Sequence, residues 1–191
     1  MTWNFYGSHR NIYLTFDDGP TPVVTKHVLD LLDEFGARAT FFCLGRNVDK
    51  YPELYRQIIT SGHAVGNHSY SHIKGFRSSN RHYLDDIELA DNLIHSRLFR
   101  PPYGQIFPWQ AREVIHNYRI IMWDILSFDY NSSLTGTRVV RNVISKVRPG
   151  SIIVFHDSEK ARKNLYAALP EVLGFLKENH YNMELIPENG K

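Results

Sequence analysis

The chain has 191 residues, of which 42% are apolar, 22% charged and 13% aromatic, a globular balance that excludes disorder, collagen and coiled coil. Lys and Arg total 22 against 20 Asp and Glu, and the net charge of +2 leaves no electrostatic footprint for nucleic acid or an anionic membrane. The single cysteine, Cys43, excludes an internal disulfide framework and a multi-thiolate metal site, whereas 10 histidines direct attention to metal or acid–base chemistry.

The length accommodates one domain, 1–191, and leaves no room for two ordinary ones. No basic segment followed by an apolar run opens the chain, so no signal peptide is visible and a cytoplasmic location is expected. No apolar run approaches the ~20 residues of a membrane span. A monomer is expected.

In chain order, NIYLTF (11–16) predicts a buried strand. Thr21 and Pro22 supply an N-cap and a first-turn proline for a helix whose face carries Val24, Val28, Leu31 and Phe35, and Gly36 stops it. ATFFCL (39–44) predicts a second strand, 51–61 a short helix behind Pro52, and HAVGN (63–67) a third strand. Leu84, Ile87, Asp91 and Ile94 share a helix face, LFR (98–100) is a minimal strand, and Pro108 opens a helix carrying Ala111, Val114, Ile115 and Tyr118. RIIMWD (119–124) predicts a strand, and Val139, Val140, Val143, Ile144 and Val147 a helix face. SIIVFH (151–156) is a strand, a helix over about Leu165–Glu178 is expected to bend at Pro170, and NMELI (182–186) closes the series.

Strict alternation of strand and helix implies parallel strands joined by crossover helices. A closed eight-stranded barrel takes roughly 250 residues, with about 200 near the floor. A distorted or incomplete (β/α) barrel of about seven parallel strands, in a single domain, is therefore the predicted fold. A doubly wound sheet would carry a glycine-rich phosphate loop after its first strand; Asp17-Asp18-Gly19-Pro20 stands there instead.

Polar residues gather where such strands end. Asp17 and Asp18 follow the first, His68 and His72 the third, Arg100 the fourth, Asp124 and Asp129 the fifth, and His156 and Asp157 the sixth. Each has a plain structural reading: a turn for the Asp pair, a packed histidine at His156, a weak surface ion pair at Arg100. Repetition on one rim points instead to a single polar site. His-x3-His is a recurrent metal-ligand spacing, and Asp18 would complete a set that leaves a position open for water. His156 beside acidic neighbours would be held protonated as a general acid. Arg100 would keep a nearby Asp ionised. The remaining histidines, and Cys43 within an apolar strand, read as structural.

At these residues the chain resembles the polysaccharide deacetylase family, the family 4 carbohydrate esterases with the NodB-homology domain. The resemblance rests on Thr15-Phe16-Asp17-Asp18-Gly19-Pro20, His68-Ser69-Tyr70-Ser71-His72 and Arg100-Pro101-Pro102-Tyr103-Gly104, in that order, and on Val154-Phe155-His156 with Val in place of Leu. It implies Asp17 as catalytic base, Asp18, His68 and His72 as metal ligands, and Arg100 as the residue fixing the base. It further implies Tyr103 as a backbone donor to the oxyanion and His156 as general acid. A fourth motif departs: Leu126-Ser127-Phe128-Asp129-Tyr130 keeps one Asp and has Tyr for Trp. Asp129 is taken as the partner that raises His156, with Asp124 as competitor, and Trp123 as an apolar wall for the substrate.

The implied reaction is hydrolysis of acetyl groups, N-linked or O-linked, on a glycan such as peptidoglycan or chitin oligomers. The implied cofactor is a divalent metal, zinc first, with cobalt, nickel or iron also fitting the donors. Competing readings are a non-haem iron oxygenase, which leaves His156 and Arg100 without a use, and a glycosidase, whose carboxyls must stand ~5–9.5 Å apart across the bond. Two more are an inactive carbohydrate-binding relative and the same hydrolysis on a non-sugar amide.

Overall fold

The computed structural model describes residues 1–5, 7 and 9–188. Its elements in order are β1 (Asn11–Asp17), α1 (Val24–Phe35), β2 (Ala39–Cys43), α2 (Gly45–Lys50), α3 (Pro52–Thr60), β3 (Ala64–Asn67) and α4 (Asn80–Asp91). Then come β4 (Leu98–Phe99), α5 (Pro108–Val114), β5 (Arg119–Ile120), β6 (Ile125–Leu126), α6 (Gly136–Ile144), β7 (Ile152–His156), α7 (Arg162–Glu178) and β8 (Asn182–Met183). All pairings between these strands are parallel, in the order β5-β4-β3-β2-β1-β7-β6, with β8 beside the start of β1. Among the described residues no pairing joins β5 to β6, so the sheet curls into a half-barrel. This is the incomplete (β/α) barrel that the alternation predicts.

The period-two alternation of β1 gives the sheet two different faces. Ile12, Leu14 and Phe16 point outward and bury against Val28 and Leu32 of α1 and Leu165, Leu169, Val172 and Leu176 of α7. Full burial of each such side chain stabilises by roughly 1.5–3 kcal/mol. Tyr13 points inward, into a smaller cluster with Phe42, Leu98, Ile121, Ile152 and Ile186. Thr15 and Asp17 continue this inner face towards the strand's C-terminal end, so the concave side turns from apolar to polar at one rim.

Several element boundaries differ from the predicted ones. Thr21 does not cap α1: its hydroxyl donates to the Asp157 carbonyl at 2.7 Å, and the cap position, Val23, makes no side-chain hydrogen bond. Gly36 ends the helix as expected, in the left-handed region at φ 64°. The strand expected over 119–124 is only Arg119–Ile120, because the N-terminal segment takes over its hydrogen bonds: Thr2 N–H donates to the Ile120 carbonyl and Met122 N–H to Thr2. Residues 125–126 form a further short strand, and 182–186 contribute only Asn182–Met183. Ile94 lies beyond the end of α4, and α2 was not predicted. Helix α7 begins at Arg162 and continues through Pro170, where the burial of Leu169, Val172, Leu173 and Leu176 outweighs the lost backbone bond.

Candidate active site

Asp17 is the last residue of β1 and pairs in register with His156, the last of β7. Neighbours in a parallel register share a face, so both side chains emerge on the inner rim. Arg100, just past β4, is fully buried beneath them. Its Nη1 donates to Asp17 Oδ1 and to Thr15 Oγ1, both at 2.7 Å. Its Nε donates to the Ile121 carbonyl at 3.2 Å and Nη2 to the Met122 carbonyl at 3.0 Å. The guanidinium carbon also lies 4.1 Å from the centre of the Phe42 ring. A guanidinium held on every side fixes one Asp17 oxygen and leaves the other directed at the cleft.

Asp18, at the turn, projects differently because its backbone is left-handed at φ 79°. Its Oδ1 is buried and has no hydrogen-bond partner. That oxygen lies 3.1 Å from His72 Nε2 and 3.7 Å from His68 Nε2. The donor atoms of Asp18, His68 and His72 all fall within 4.8 Å of one another. An orphaned carboxylate oxygen between two imidazole nitrogens fits a divalent cation, with coordination positions left open. His68 Nδ1 donates to the Arg100 carbonyl at 2.7 Å, which leaves Nε2 as the lone pair aimed at that point. Burial pushes His68 down to about 4, with Asp17 opposing. Burial disfavours the Asp18 anion, but the His72 contact and the charges of His156 and His68 hold it well below the usual carboxylate range.

Residues outside the motifs hold this loop. Asp86 of α4 accepts from the N–H groups of Tyr70 at 3.0 Å and Ser71 at 3.1 Å, and from the Ser71 hydroxyl at 2.7 Å. Asn67 Oδ1 accepts from Ser69 N–H at 2.8 Å. Asp86 lies on the buried face of α4 with Tyr83, Ile87 and Ala90, a face offset from the one read in the sequence, where Asp86 gave no signal.

On the other side of the cleft, His156 Nδ1 donates to Asp129 Oδ1 at 2.7 Å, and His156 N–H donates to Asp129 Oδ2 at 2.8 Å. Burial opposes an imidazolium here, but the Asp129 carboxylate outweighs it, and His156 is lifted to about 9. Asn164 of α7 fixes the Asp129 loop by donating to the carbonyls of Asp129 at 3.1 Å and Asn131 at 2.9 Å. Asp124 does not reach His156: it accepts from Ile152 N–H at 2.8 Å and Ser151 Oγ at 3.0 Å at the start of β7.

Asp157 is fully buried behind the turn. Its Oδ2 accepts from Thr25 Oγ1 at 2.5 Å, while Oδ1 has no partner. A Cβ on Gly19 would lie 2.0 Å from Asp157 Oδ2, so only glycine lets the turn approach this closely. Burial, opposed by the Thr25 hydrogen bond, raises Asp157 to about 7.

Tyr103 is exposed, with φ at 59° and its ring 4.4 Å from that of His72. Trp123 is half-buried, wedged where a Cβ on Gly104 would lie 2.8 Å away and near the Arg100 guanidinium. Among the described residues, non-glycine positions with positive φ are Asp18, Ser69, His72, Tyr103, Phe128 and His180, and all but His180 border this site. Strain concentrated in this way marks a site whose surroundings over-determine its geometry. His63, away from the rim, accepts from Ala39 N–H at 3.3 Å, and burial lowers it to about 4, as a packed neutral histidine requires. Cys43 is a buried free thiol, raised by burial.

Residues 6–120 match the family model described as polysaccharide deacetylase. The chain belongs to the polysaccharide deacetylase family. It is 32% identical to a peptidoglycan-N-acetylglucosamine deacetylase of Bacillus cereus, over 98% of this chain and 92% of the relative. It is 34% identical to a chitooligosaccharide deacetylase of Azorhizobium caulinodans, over 78% of this chain and 75% of the relative. The solved family 4 carbohydrate esterase from Streptomyces lividans, in complex with acetate, superposes with a TM-score of 0.84 at 28% identity, covering 95% of each chain. The half-barrel is therefore the family's fold. Among the described residues no helix is long and apolar enough to cross a membrane.

Proposed function

We propose that the chain hydrolyses the N-acetyl group of N-acetylglucosamine units in a glycan, releasing acetate. The observation that carries this reading is the opposition of two differently prepared groups on one rim. Asp17, gripped by Arg100, faces His156, gripped by Asp129, with Asp18, His68 and His72 beside them. Names of relatives that act on peptidoglycan and chitooligosaccharide support the substrate class.

Asp18, His68 and His72 would hold a divalent ion, and zinc suits one carboxylate and two imidazoles. When bound, such an ion supplies Lewis acidity to water and to the acetyl carbonyl. Asp17 accepts a proton from the attacking water as the new carbon–oxygen bond forms. Arg100 holds that carboxylate in place through its Nη1 contact, and so acts as a positioning residue. The Tyr103 backbone N–H donates to the carbonyl oxygen as charge develops on it, an interaction worth about 3–4 kcal/mol where geometry is good. The carbon–nitrogen bond then breaks as imidazolium His156 delivers its Nε2 proton to the leaving amine. The products are acetate and a free amino sugar. Trp123, under Gly104, walls the cleft.

Acetate release from peptidoglycan, chitin oligomers and O-acetylated xylan, with chelator and with added zinc or cobalt, tests the reading. Activity on the first two, lost to chelation and restored by metal, is expected. No acetate from any glycan under any metal would refute it. Asp17→Asn should retain the metal and lose turnover, while Asp18→Ala and His68→Ala should lose the metal itself.

A further inference from the structure

Beside the cleft lies a group of rings that the reaction does not use. Phe76 and Trp109 are 52% and 56% exposed, and they gather around one further ring. Phe107 stands between them, 4.7 Å from Phe76 and stacked on Trp109 at 4.4 Å with an interplanar angle of 13°. All three occupy segments leading from a strand end to the next helix: Phe76 between β3 and α4, Phe107 and Trp109 between β4 and the first turn of α5. They therefore share the rim that carries Asp17 and His156.

We propose that the outer face of Trp109, backed by Phe107 and Phe76, forms a sugar-stacking platform. It seats an N-acetylhexosamine unit of the glycan strand beyond the unit being deacetylated, and so rests on the deacetylase reading above. The platform is continuous with the cleft. His72 and Tyr103 belong to the same two loops, their rings are 4.4 Å apart, and Lys74 Nζ lies 4.6 Å from the centre of the Tyr103 ring. Phe76 stands four positions after His72, and Phe107 four after Tyr103, a reach of at most about 14 Å.

The loops are also locked together. Buried Gln110 accepts from Phe107 N–H at 2.9 Å and donates to the Gly75 carbonyl at 3.1 Å. Gly75 packs so tightly that a Cβ there would meet the Gln105 carbonyl oxygen at 2.3 Å. Rings held in this way lose little freedom on binding. A pyranose presents C–H groups on its faces and hydroxyls around its edge, so it can stack on flat rings while its edge stays hydrated. Three aromatic rings bury at most about 150–250 Å² each. Half-covered already, they fall short of the ~800 Å² per partner of a stable protein interface, which favours the sugar over a second copy of the chain.

The test compares Trp109→Ala, Phe76→Ala and Trp109→Phe on β-1,4-linked N-acetylglucosamine oligomers from dimer to hexamer. Trp109→Ala should raise KM for the hexamer by about 3- to 10-fold, the effect of losing one ring contact, and Phe76→Ala, which removes only backing, by less. Their kcat should hold, the dimer should be unaffected, and Trp109→Phe should recover most of the loss. Unchanged KM on the hexamer, an equal change on dimer and hexamer, or a wild-type dimer in sedimentation that Trp109→Ala dissociates would overturn the platform. If the wild type releases no acetate at all, the deacetylase reading fails. The platform is then judged by retardation in gels containing soluble chitin: slower migration of wild type than of Trp109→Ala supports it, and equal migration overturns it.

Discussion

Two histidines flank the cleft, His68 buried and His156 partly buried, and their surroundings push them in opposite directions. His68 falls to about 4 and His156 rises to about 9, although burial disfavours the charged form of both. What separates them is the atom facing Nδ1. For His68 it is the Arg100 carbonyl at 2.7 Å, and for His156 the Asp129 carboxylate at the same distance. A carbonyl orients a neutral ring and leaves it a lone pair to offer. A carboxylate keeps the ring charged and leaves it a proton to give. One fold therefore holds a neutral and a charged imidazole on the same rim by choosing which oxygen stands behind each ring.

The sharpest way to break that contrast is Asp129→Asn. It preserves shape and removes the charge that outweighs burial, so His156 should drop below its ordinary value. If His156 delivers the proton as proposed, kcat should fall by about 10²–10⁴-fold. In the wild type, activity should decline as pH rises through about 9, where His156 deprotonates. In Asp129→Asn the decline should begin at lower pH. A pH–rate profile decides this, and an unmoved alkaline limb would sink the assignment. The same contrast appears in stability. The raised value of His156 stabilises fully below 6.5 and is lost as pH rises through about 9. The depressed value of His68 stabilises above 6.5 and is lost as pH falls through about 4.

A smaller but still large effect is expected at Arg100. Its side chain is fully buried and paired to Asp17, so Arg100→Met strands a buried carboxylate and should cost about 3–5 kcal/mol. Urea denaturation measures this. Arg100→Lys keeps the charge but cannot reproduce four directed contacts, so part of the loss should remain. A stability equal to wild type in both variants would show that the guanidinium network carries no weight.

The half-barrel and much of the site were legible because both follow from local rules. Apolar strands alternate with amphipathic helices, and the ionisable residues stand at strand ends. Illegible features depend on distant contacts. The strand expected over 119–124 shortens because Thr2, more than a hundred residues away, takes its hydrogen bonds. Asp124 and Asp129 follow the same strand region, and their roles separate only in the fold, where Ile152 N–H and Ser151 Oγ claim Asp124 and His156 claims Asp129. Asn164 reaches Asp129 across 35 residues. The sequence placed Asp157 on the rim without a role, because its burial against Gly19 and Thr25 exists only once β1, α1 and β7 have met.

That burial yields the smallest predicted effect, and the one furthest from the two histidines. Asp157 is raised from 3.8 to about 7, so between those values the folded chain holds a proton that the unfolded chain releases. Stability from this group is complete below 3.8 and is lost as pH rises through about 7. Asp157→Asn keeps an acceptor for Thr25 Oγ1 and the same volume beside Gly19, but does not titrate. In chelated protein, urea midpoints of the wild type should decline relative to Asp157→Asn across that interval, and the two should differ least at its acidic end. Parallel curves would mean that the carboxyl is ionised across the interval in folded and unfolded chain alike, and would overturn the buried proton. The Asp17 and Asp18 charges nearby are what make a third anion behind the turn costly, which is why the proton is expected to stay on Asp157.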